Sequence, residues 1–236
     1  MEMKAKVHTA TAALTVEPRI AVVGIGGAGC NVVNDLYWAD GSMDIIAINT
    51  DKISLKETNA DKKVRLCKDV TKGEGAKGDT LLGQRCAEAH KDDIREALEG
   101  YDTVIMIAGM GGGTGTGVAP VVASVAHSMG LITIAVVIRP FSFETQRMRA
   151  AKEGIAKISA MCPATVVVEN DRIAAAMPDA TMEDAFRTVN MSVAKFVTEK
   201  KRTLTEAMTD QVSSLEAMIE DAGEHPLSVY SAKTLA

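Results

Sequence analysis

Two glycine-rich segments contain the residues of this sequence that are best suited to bind phosphate. The first, residues 24–31, has the spacing G-x-G-x-x-G, and the second, residues 109–117, consists of glycine and threonine apart from Met110. Glycine lets the backbone turn tightly, so that N–H groups at the start of a helix can contact phosphate oxygens. Threonine hydroxyls can bond to phosphate oxygens or orient water around Mg²⁺. Two such loops in one sheet favour a polyphosphate ligand.

Each loop alone has another interpretation. The first would equally suit a dinucleotide enzyme, in which Asp44 or Asp51 would bind the ribose. The second would otherwise be a flexible glycine linker, but it lies between an apolar strand pattern and an apolar helix pattern. A dinucleotide oxidoreductase also needs a proton donor near its substrate, and the four histidines do not lie at the ends of the predicted strands.

Apolar runs alternate with amphipathic stretches in the first three quarters of the chain. The runs are continuously apolar, which is typical of strands buried on both faces of a parallel sheet. Strands are predicted over 19–24, 44–49, 103–108, 131–138 and 164–168. Helices are predicted over 31–39, 81–99, 116–129 and 145–161, with Asp79 or Thr80 as the N-cap of the second. This order predicts a doubly wound α/β domain, with a mostly parallel sheet, helices on both faces and ligands at the carboxyl ends of the strands.

The sequence changes character after Pro178. Residues 181–184 resemble a capping box, and neither Gly nor Pro follows until Gly223. Apolar residues recur three and four positions apart, which predicts one long helix, or two joined end to end. Such a helix would measure roughly 60 Å, so we expect part of it to break or project. The predicted organisation is a flexible N-terminal arm (1–17), a nucleotide-binding α/β domain (18–180), the long C-terminal helix (181–222) and a tail (223–236).

Composition argues against several other classes of protein. The net charge of −5 gives no global argument for nucleic-acid binding. There is no run of about 18 apolar residues that would predict a membrane span. Residues 1–17 lack the long apolar segment of a signal peptide, and a membrane role for them stays undetermined. The four cysteines form no C-x-x-C pair and do not cluster with the histidines, so we expect single thiols, no zinc site and a reducing, cytoplasmic location.

Residues 109–117 resemble the glycine-rich signature of the tubulin/FtsZ family, and the order of the other motifs agrees over about residues 19–196. Residues 26–31, 49–51 and 73–78 are similar to the family's first three phosphate loops, and 139–144 to its ribose-binding loop. The resemblance implies GTP or GDP as the ligand, together with Mg²⁺, and it assigns no residue as a direct ligand of the metal. It implies a nucleotide site made of Gly26, Gly27, Ala28, Gly29, Cys30, Asn31, Asp51, Gly75, Ala76, Gly111, Gly112, Gly113, Thr114, Gly115, Thr116, Pro140, Glu144, Arg147, Asn170, Phe186 and Asn190.

The resemblance also assigns roles at the nucleoside end of this site. Glu144 would bind the sugar hydroxyls, and Asn170 would contact ribose and base. Phe186 and Asn190 lie four positions apart on one helix face, where they would stack on the guanine and bond to its edge. An amide presents both a donor and an acceptor, as a guanine edge requires. Without the resemblance, Phe186 would be interpreted as a core residue and Asn190 as a solvated polar residue.

Three features depart from the family pattern. Ala28 and Cys30 stand where FtsZ commonly has Gly and Ser, but both are small. Met148 occupies the position of a family arginine, and the neighbouring Arg147 is predicted to take its role. No Asn-x-Asp-Phe-Ala-Asp-like loop follows Asn190, although in the family this loop supplies the acids that activate water on the neighbouring subunit's GTP. We therefore expect a minimal FtsZ-like protein that lacks the second domain and its catalytic loop.

Catalysis would then depend on other acids. Four carboxylates on the distal part of the long helix are candidates for reaching the nucleotide of a neighbouring protomer: Asp210, Glu216, Glu220 and Asp221. The plain alternative is that they are solvated helix charges. The distal apolar stripe consists of Leu204, Met208, Val212, Leu215 and Ile219. It predicts self-association, including lateral pairing, or binding of a partner, unless the stripe packs on its own domain.

The function implied by the resemblance is a GTP-binding cytoskeletal protein that assembles head to tail into filaments, as in cell division. GTP hydrolysis would be slow or unusual, and GTPase activity itself stays open. The alternative is a GTP-binding regulator that does not polymerise and instead binds the filament of a full-length FtsZ-type protein.

Overall fold

Six parallel strands form the centre of the structure, a computed structural model that describes residues 18–39, 43–177 and 179–224. The strands are β1 (Ile20–Ile25), β2 (Asp44–Asn49), β3 (Lys62–Arg65), β4 (Thr103–Gly109), β5 (Ile132–Arg139) and β6 (Ala164–Glu169). Their order across the sheet is β3-β2-β1-β4-β5-β6, and all neighbouring pairs are parallel. The reversal of strand order between β1 and β4 confirms the predicted doubly wound α/β class.

Helices follow the strands along the described chain. They are α1 (Gly26–Ala39), α2 (Lys52–Glu57), α3 (Thr80–Ala89), α4 (Lys91–Leu98), α5 (Gly113–Ser128), α6 (Thr145–Met161), α7 (Asn170–Ala175) and α8 (Met182–Glu224). Ala21, Val23 and Ile25 of β1 belong to one buried cluster with side chains of α3, α4 and α5. The intervening side chains of β1, such as Val22, are also fully buried. Because successive side chains of a strand point to opposite faces, the sheet is covered on both.

The helix α8 is continuous over 43 residues, so the long helix predicted from the sequence is one element and not two. Its start has the predicted capping box, because Thr181 Oγ1 accepts the Asp184 N–H at 3.2 Å and Asp184 Oδ2 accepts the Thr181 N–H at 3.3 Å. Val189, Val193 and Val197 are buried along one face. Residues 19–203 form one compact unit, and the part of α8 from Leu204 on belongs to another.

The predicted helix over 81–99 is wrong as a single element, because it is divided into α3 and α4 at His90. Asp79 is the N-cap, and its Oδ1 accepts the Leu81 and Leu82 N–H groups at 2.9 and 3.0 Å. His90 Nδ1 lies 2.9 Å from the Cys86 carbonyl oxygen, which the His90 N–H would use as acceptor in an unbroken helix. The His90 N–H bonds instead to the Ala87 carbonyl at 3.1 Å. The helix therefore ends at this point, although the sequence has no Gly or Pro here.

The pairing of two cysteines contradicts the expectation of four single thiols. Cys67 and Cys86 form a disulfide whose Cα atoms lie 5.2 Å apart, whereas Cys30 and Cys162 are free and buried. The two paired residues are 19 positions apart, a spacing that belongs to no cysteine motif. Cys67 lies at the start of the loop that follows β3, and Cys86 lies within α3, the helix to which this loop leads.

Some of the predictions lie outside the described residues. These are the flexible arm over 1–17 and the tail beyond residue 224. The side chains of Val212, Leu215 and Ile219 in the distal apolar stripe also lie outside them. In the part of the chain that is described, no helix is both long enough and apolar enough to cross a membrane.

Candidate nucleotide-binding site

A cavity of about 410 Å³ lies along the carboxyl edge of the sheet. The loops after all six strands and the start of α8 contribute to it. Most of the predicted site residues line this cavity, namely Gly27, Ala28, Asp51, Gly75, Ala76, Gly112, Gly113, Thr114, Gly115, Pro140, Glu144, Arg147, Asn170, Phe186 and Asn190. A doubly wound sheet binds its ligand at this edge, so the fold brings residues from seven separate segments to one place.

Six of the predicted residues do not line the cavity: Gly26, Gly29, Cys30, Asn31, Gly111 and Thr116. Gly26, with φ of +70°, makes the turn from β1 into α1. Thr116 is buried, and its Oγ1 accepts the Gly111 N–H at 2.7 Å, so both residues shape the loop before α5. Asn31 lines a neighbouring cavity together with Phe186 and Asn190.

Cys30 is buried below the first glycine loop. Its Sγ lies 3.8 Å from Asn49 Nδ2, which donates to it, and 3.9 Å from the carbonyl oxygen of Gly24. Burial raises the pKa of the Cys30 thiol to about 11. The residue is therefore a neutral packing group at physiological pH and not a nucleophile.

Two helix N-termini face the cavity with glycine backbone. α1 begins at Gly26 directly after β1, and α5 begins at Gly113 shortly after β4. A β-carbon on Gly115 would lie 2.1 Å from the Gly109 carbonyl oxygen, so only glycine allows α5 to approach the strand this closely. N–H groups of a first helical turn have no partner within the helix and carry a partial positive charge. The arrangement suits phosphate oxygens.

The loop after β2 is held by its own side chains. Asp51 is the N-cap of α2, and its Oδ1 accepts the Ser54 N–H at 2.8 Å. Asn49 Oδ1 accepts the Asp51 N–H at 3.2 Å, and Asn49 Nδ2 donates to Ser54 Oγ at 3.2 Å. The hydroxyls of Thr50 and Thr114 are 2.7 Å apart, which links this loop to the second glycine loop. The network fixes Asp51 at the cavity wall.

The loop after β3 closes the same end of the cavity. Asp51 and Glu74 form an isolated antiparallel bridge, and the Lys52 N–H donates to the Gly73 carbonyl at 2.9 Å. Glu74 and Lys77 form an exposed ion pair, and hydrogen bonding to Lys77 lowers the pKa of the Glu74 carboxyl. Lys77 is thus a cation at the cavity wall beside the glycine loops.

The opposite end of the cavity is formed by side chains. Glu144 Oε2 accepts the Phe141 N–H at 3.1 Å, and Glu144 Oε1 pairs with Arg147 Nη1 at 2.6 Å. Arg147 lines the cavity, whereas the adjacent Met148 and Arg149 line a different groove. Asn170 is 4% exposed, and its Oδ1 has no hydrogen-bond partner among the described residues. A buried acceptor without a partner at a cavity wall is a position that a ligand donor can satisfy.

Three phenylalanine rings stand in contact beside this end. Phe141 is buried and stacks on Phe143 with ring centroids 5.3 Å apart, and it meets the Phe186 ring edge-on at 5.4 Å. Phe186 is 45% exposed and lines the cavity with Asn190. An aromatic face held by a buried neighbour next to an amide is suited to a planar base.

Sequence reasoning missed several lining residues, namely Asn49, Ser54, Glu74, Lys77, Gly78, Gly109, Met110, Ile138 and Val189. The loop motifs contain Asn49, Glu74, Lys77, Gly78, Gly109 and Met110, but the resemblance does not assign these residues to the site. Ser54 had a usable signal, because it stands three residues after the N-cap Asp51. Ile138 and Val189 are apolar residues that nothing in the sequence distinguishes from core.

The predicted acidic candidates lie on the distal part of α8. Asp210 is exposed, and its main-chain carbonyl accepts the Ser214 hydroxyl at 2.8 Å. The side chains of Glu216, Glu220 and Asp221 lie outside the described residues. Among the described residues, no group of three or more His, Cys, Asp and Glu side chains is arranged to hold a metal ion.

A family model described as "Tubulin/FtsZ family, GTPase domain" matches residues 19–178. Among the relatives, the cell division protein FtsZ 2 of Methanocaldococcus jannaschii is 43% identical over 182 residues, which is 77% of this chain and 48% of that protein. The FtsZ 2 of Halobacterium salinarum is 41% identical over 192 residues, 80% of this chain and 49% of that protein. The chain thus spans about half the length of these relatives.

Solved structures agree with this similarity. The chain superimposes on an empty FtsZ dimer of M. jannaschii with a TM-score of 0.75 at 35% identity, covering 78% of this chain and 54% of that one. It superimposes on CetZ2 from Haloferax volcanii, solved as a GTPγS-bound protofilament, with a TM-score of 0.69 at 26% identity, covering 76% of this chain and 57% of that one.

Proposed function

Because the chain belongs to the tubulin/FtsZ family and carries its GTPase domain, we propose that it is a GTP-binding cytoskeletal protein that assembles head to tail into filaments. One observation carries the proposal. A single cavity combines two glycine-rich helix N-termini at one end with an aromatic face and a buried unpaired amide oxygen at the other. A nucleoside polyphosphate has the matching parts in the same order.

The phosphate end would hold the charged part of GTP. Backbone N–H groups at the starts of α1 and α5 would bind phosphate oxygens, and the Thr114 hydroxyl would add a further donor. Bound GTP would supply the phosphoryl group that water attacks, and Mg²⁺ would neutralise charge on its phosphates. The ion would be held mainly through the phosphates and water, as is usual for Mg²⁺, with Asp51 as the adjacent carboxylate.

The nucleoside end would hold the sugar and the base. Glu144 would accept hydrogen bonds from sugar hydroxyls, and Arg147 would keep its carboxylate in place. Asn170 would pair its free Oδ1 with a donor on the nucleoside. Phe186 would stack on the guanine and Asn190 would bond to its edge, which together would favour guanine over other bases.

Hydrolysis would need an acid from a second copy. A head-to-tail contact is heterologous. If it brought the distal part of one protomer near the nucleotide of the next, Asp210, Glu216, Glu220 and Asp221 would be our candidates for activating water. The four single alanine variants test this role. Loss of GTP turnover in one of them would identify the acid, and unchanged turnover in all four would refute the idea.

The protein would function as a self-associated filament in the cytoplasm. CetZ2, a relative, was solved as a protofilament, which supports head-to-tail assembly. The distal apolar stripe would add lateral pairing of filaments, and Leu215→Asp should abolish that pairing if the stripe is responsible. Unchanged assembly of this variant would remove the stripe from the proposal.

High-speed sedimentation with Mg²⁺ tests the proposal as a whole. We expect the protein to pellet with GTP and to stay in the supernatant with GDP. Nucleotide binding is measured on the same sample by filtration, so that a failure to bind is distinguished from a failure to polymerise. Binding without pelleting in either nucleotide would contradict filament formation.

A second function is favoured by the continuity of α8. The helix runs without a loop from Met182 to Glu224, so no acidic loop interrupts it after Asn190. A protein that binds GTP but turns it over slowly could regulate a full-length FtsZ-type filament instead of building its own. Co-sedimentation with such a filament, by a protein that does not pellet alone, would select this function.

A further inference from the structure

The Cys67–Cys86 disulfide joins the start of the loop between β3 and α3 to the interior of α3, and it has no part in the function proposed above. Cys67 comes two residues after β3, and Cys86 lies within α3. Between them, residues 74–78 line the cavity. We propose that this disulfide is a redox-controlled clamp on the loop, and that its reduction weakens binding of the terminal phosphate of a nucleoside triphosphate.

Cys67 is joined directly to the first turn of the loop. Its carbonyl oxygen accepts two hydrogen bonds from Thr71, one from the N–H at 3.1 Å and one from Oγ1 at 3.0 Å. The Thr71 carbonyl in turn accepts the Glu74 N–H at 2.9 Å, and Thr71 is buried. Holding Cys67 in place therefore also holds Thr71 and, through it, Glu74, which is the first of the cavity-lining residues of this loop.

Cys86 holds the other end through α3. Asp79 caps this helix, and its N–H donates to the Ala76 carbonyl at 2.8 Å. Cys86 is fully buried, and α3 packs on α5, the helix that begins at the second glycine loop. The disulfide thus ties the start of the loop to the helix into which the loop leads.

The backbone of this loop is unfavourable without support. Three non-glycine residues have φ in the left-handed region, Cys67 at 51°, Lys72 at 50° and Lys77 at 46°. Such conformations disfavour residues with a β-carbon and persist when the surroundings hold them. Releasing one end of the loop lets these residues leave the left-handed conformation. The loop must then return to its ligand-binding conformation when the ligand binds, which lowers the affinity.

The position of the loop in the sheet determines which part of the ligand is affected. β3 is at one edge of the sheet, and β5 and β6, whose loops supply Glu144 and Asn170, are at the other. With the nucleoside at the β5–β6 side, the phosphate chain extends towards β3. This step depends on the proposed function, because it takes a guanine nucleotide as the ligand.

The reduction is a thiol–disulfide exchange with a dithiol. A thiolate of the dithiol attacks Cys67 Sγ, since Cys67 is 7% exposed and Cys86 is not exposed at all. The Cys67–Cys86 bond breaks, and Cys86 leaves as a thiolate that takes up a proton. The second thiol of the dithiol then attacks the mixed disulfide and releases the Cys67 thiolate, which is also protonated. The dithiol gives up two electrons and becomes a cyclic disulfide, and the protein gains two thiols.

The experiment compares the oxidised chain with the chain reduced by dithiothreitol. Hydrogen exchange of the nucleotide-free protein is followed by mass spectrometry, and we expect faster exchange over residues 68–79 after reduction, with α6 unchanged. Calorimetric titration should give about tenfold weaker binding of a non-hydrolysable GTP analogue to the reduced form. GDP, which lacks the terminal phosphate, should bind both forms to within about twofold.

Two variants control the comparison. The double variant Cys67→Ser/Cys86→Ser should behave like the reduced protein with or without dithiothreitol. Cys162→Ser removes a free buried thiol and should keep the full redox response. Equal loop exchange, or equal affinity for the analogue, in the two redox forms would overturn the proposal. If neither form binds a guanine nucleotide, the proposed function fails, and the exchange data still decide whether the clamp exists.

Discussion

The two ends of the cavity are built by different means. At the proposed phosphate end most of the binding groups would belong to the backbone, because α1 and α5 begin at glycines and Gly115 packs against a strand carbonyl. At the nucleoside end they belong to side chains such as Asn170 and Phe186, which come from separate elements. Backbone contacts at van der Waals distance leave no room for a side chain, whereas side chains can be removed one at a time. A single substitution at the phosphate end should therefore disrupt all of its binding groups together. Single substitutions at the nucleoside end should each remove one contact and lower the nucleotide affinity stepwise.

The largest effect is expected for Gly115→Ala. Its β-carbon would lie 2.1 Å from the Gly109 carbonyl oxygen, so α5 must move away from β4 and the N–H groups of its first turn lose their positions. We expect guanine nucleotide affinity to fall by more than about 100-fold, with about 3 kcal/mol less stability. Titration calorimetry and urea unfolding measure the two quantities.

Gly27→Ala is the matched control for folding, since a β-carbon on Gly27 would meet no atom within 4 Å. This variant should unfold at the wild-type urea concentration or above it, because alanine is the better helix former. Wild-type nucleotide affinity in Gly115→Ala would contradict the description of this end as backbone-built.

At the nucleoside end, Phe186→Ala should have the next largest effect. The ring is the aromatic face of the cavity, and loss of base stacking typically weakens binding about tenfold. Phe143→Ala is the control, because Phe143 is 67% exposed and does not line the cavity. Equal losses of GTP affinity in the two variants, measured by fluorescence titration, would show that the aromatic cluster acts only through folding.

Asn170→Ala separates binding from stability. Its Oδ1 is a buried acceptor without a partner among the described residues, and such a group costs about 1 kcal/mol or more in the free protein. The variant should bind GTP about fivefold more weakly and yet be about 1 kcal/mol more stable without ligand. A loss of both affinity and stability would mean that the side chain is structural.

The smallest effect at neutral pH is expected for Cys30→Ala, beneath the phosphate end. Burial raises the pKa of Cys30 from 9.0 to about 11, so the fold favours the neutral thiol. The corresponding stabilisation is complete below pH 9.0 and is lost as the pH rises through about 11. The wild type should therefore lose about 2 kcal/mol more than the variant over this range in urea unfolding. Parallel pH profiles of the two proteins would contradict the burial of this thiol.

The same contrast explains what the sequence could predict. Continuous apolar strands and glycine loops are local patterns, so the doubly wound α/β class followed from them. Most of the cavity positions were implied instead by the resemblance to the tubulin/FtsZ family. β3 was missed because Lys62, Lys63 and Arg65 surround one buried valine, Val64, and so give no apolar run. The division at His90 was missed because a ring nitrogen takes a carbonyl that the helix would use.

The disulfide was missed for a related reason. Its two cysteines are separated by a loop whose course depends on the packing of α3 against α5. The spacing of the two cysteines along the chain does not indicate how α3 packs against α5. Contacts set by tertiary structure, such as Ser54 with Asn49 and Cys30 with Asn49, are likewise invisible until the loops are placed.

The two edges of the sheet differ in how they meet other polypeptides. β3 presents Lys62, Lys63 and Arg65, whose positive charges repel a copy of the same strand and discourage edge-to-edge pairing. β6 pairs only with β5 among the described residues, and its Val167 is 41% exposed. An extended segment that adds to the sheet as a new strand could form backbone hydrogen bonds and apolar contacts at β6. At β3 a positively charged segment would be repelled. Unwanted aggregation of concentrated protein should accordingly begin at the β6 edge.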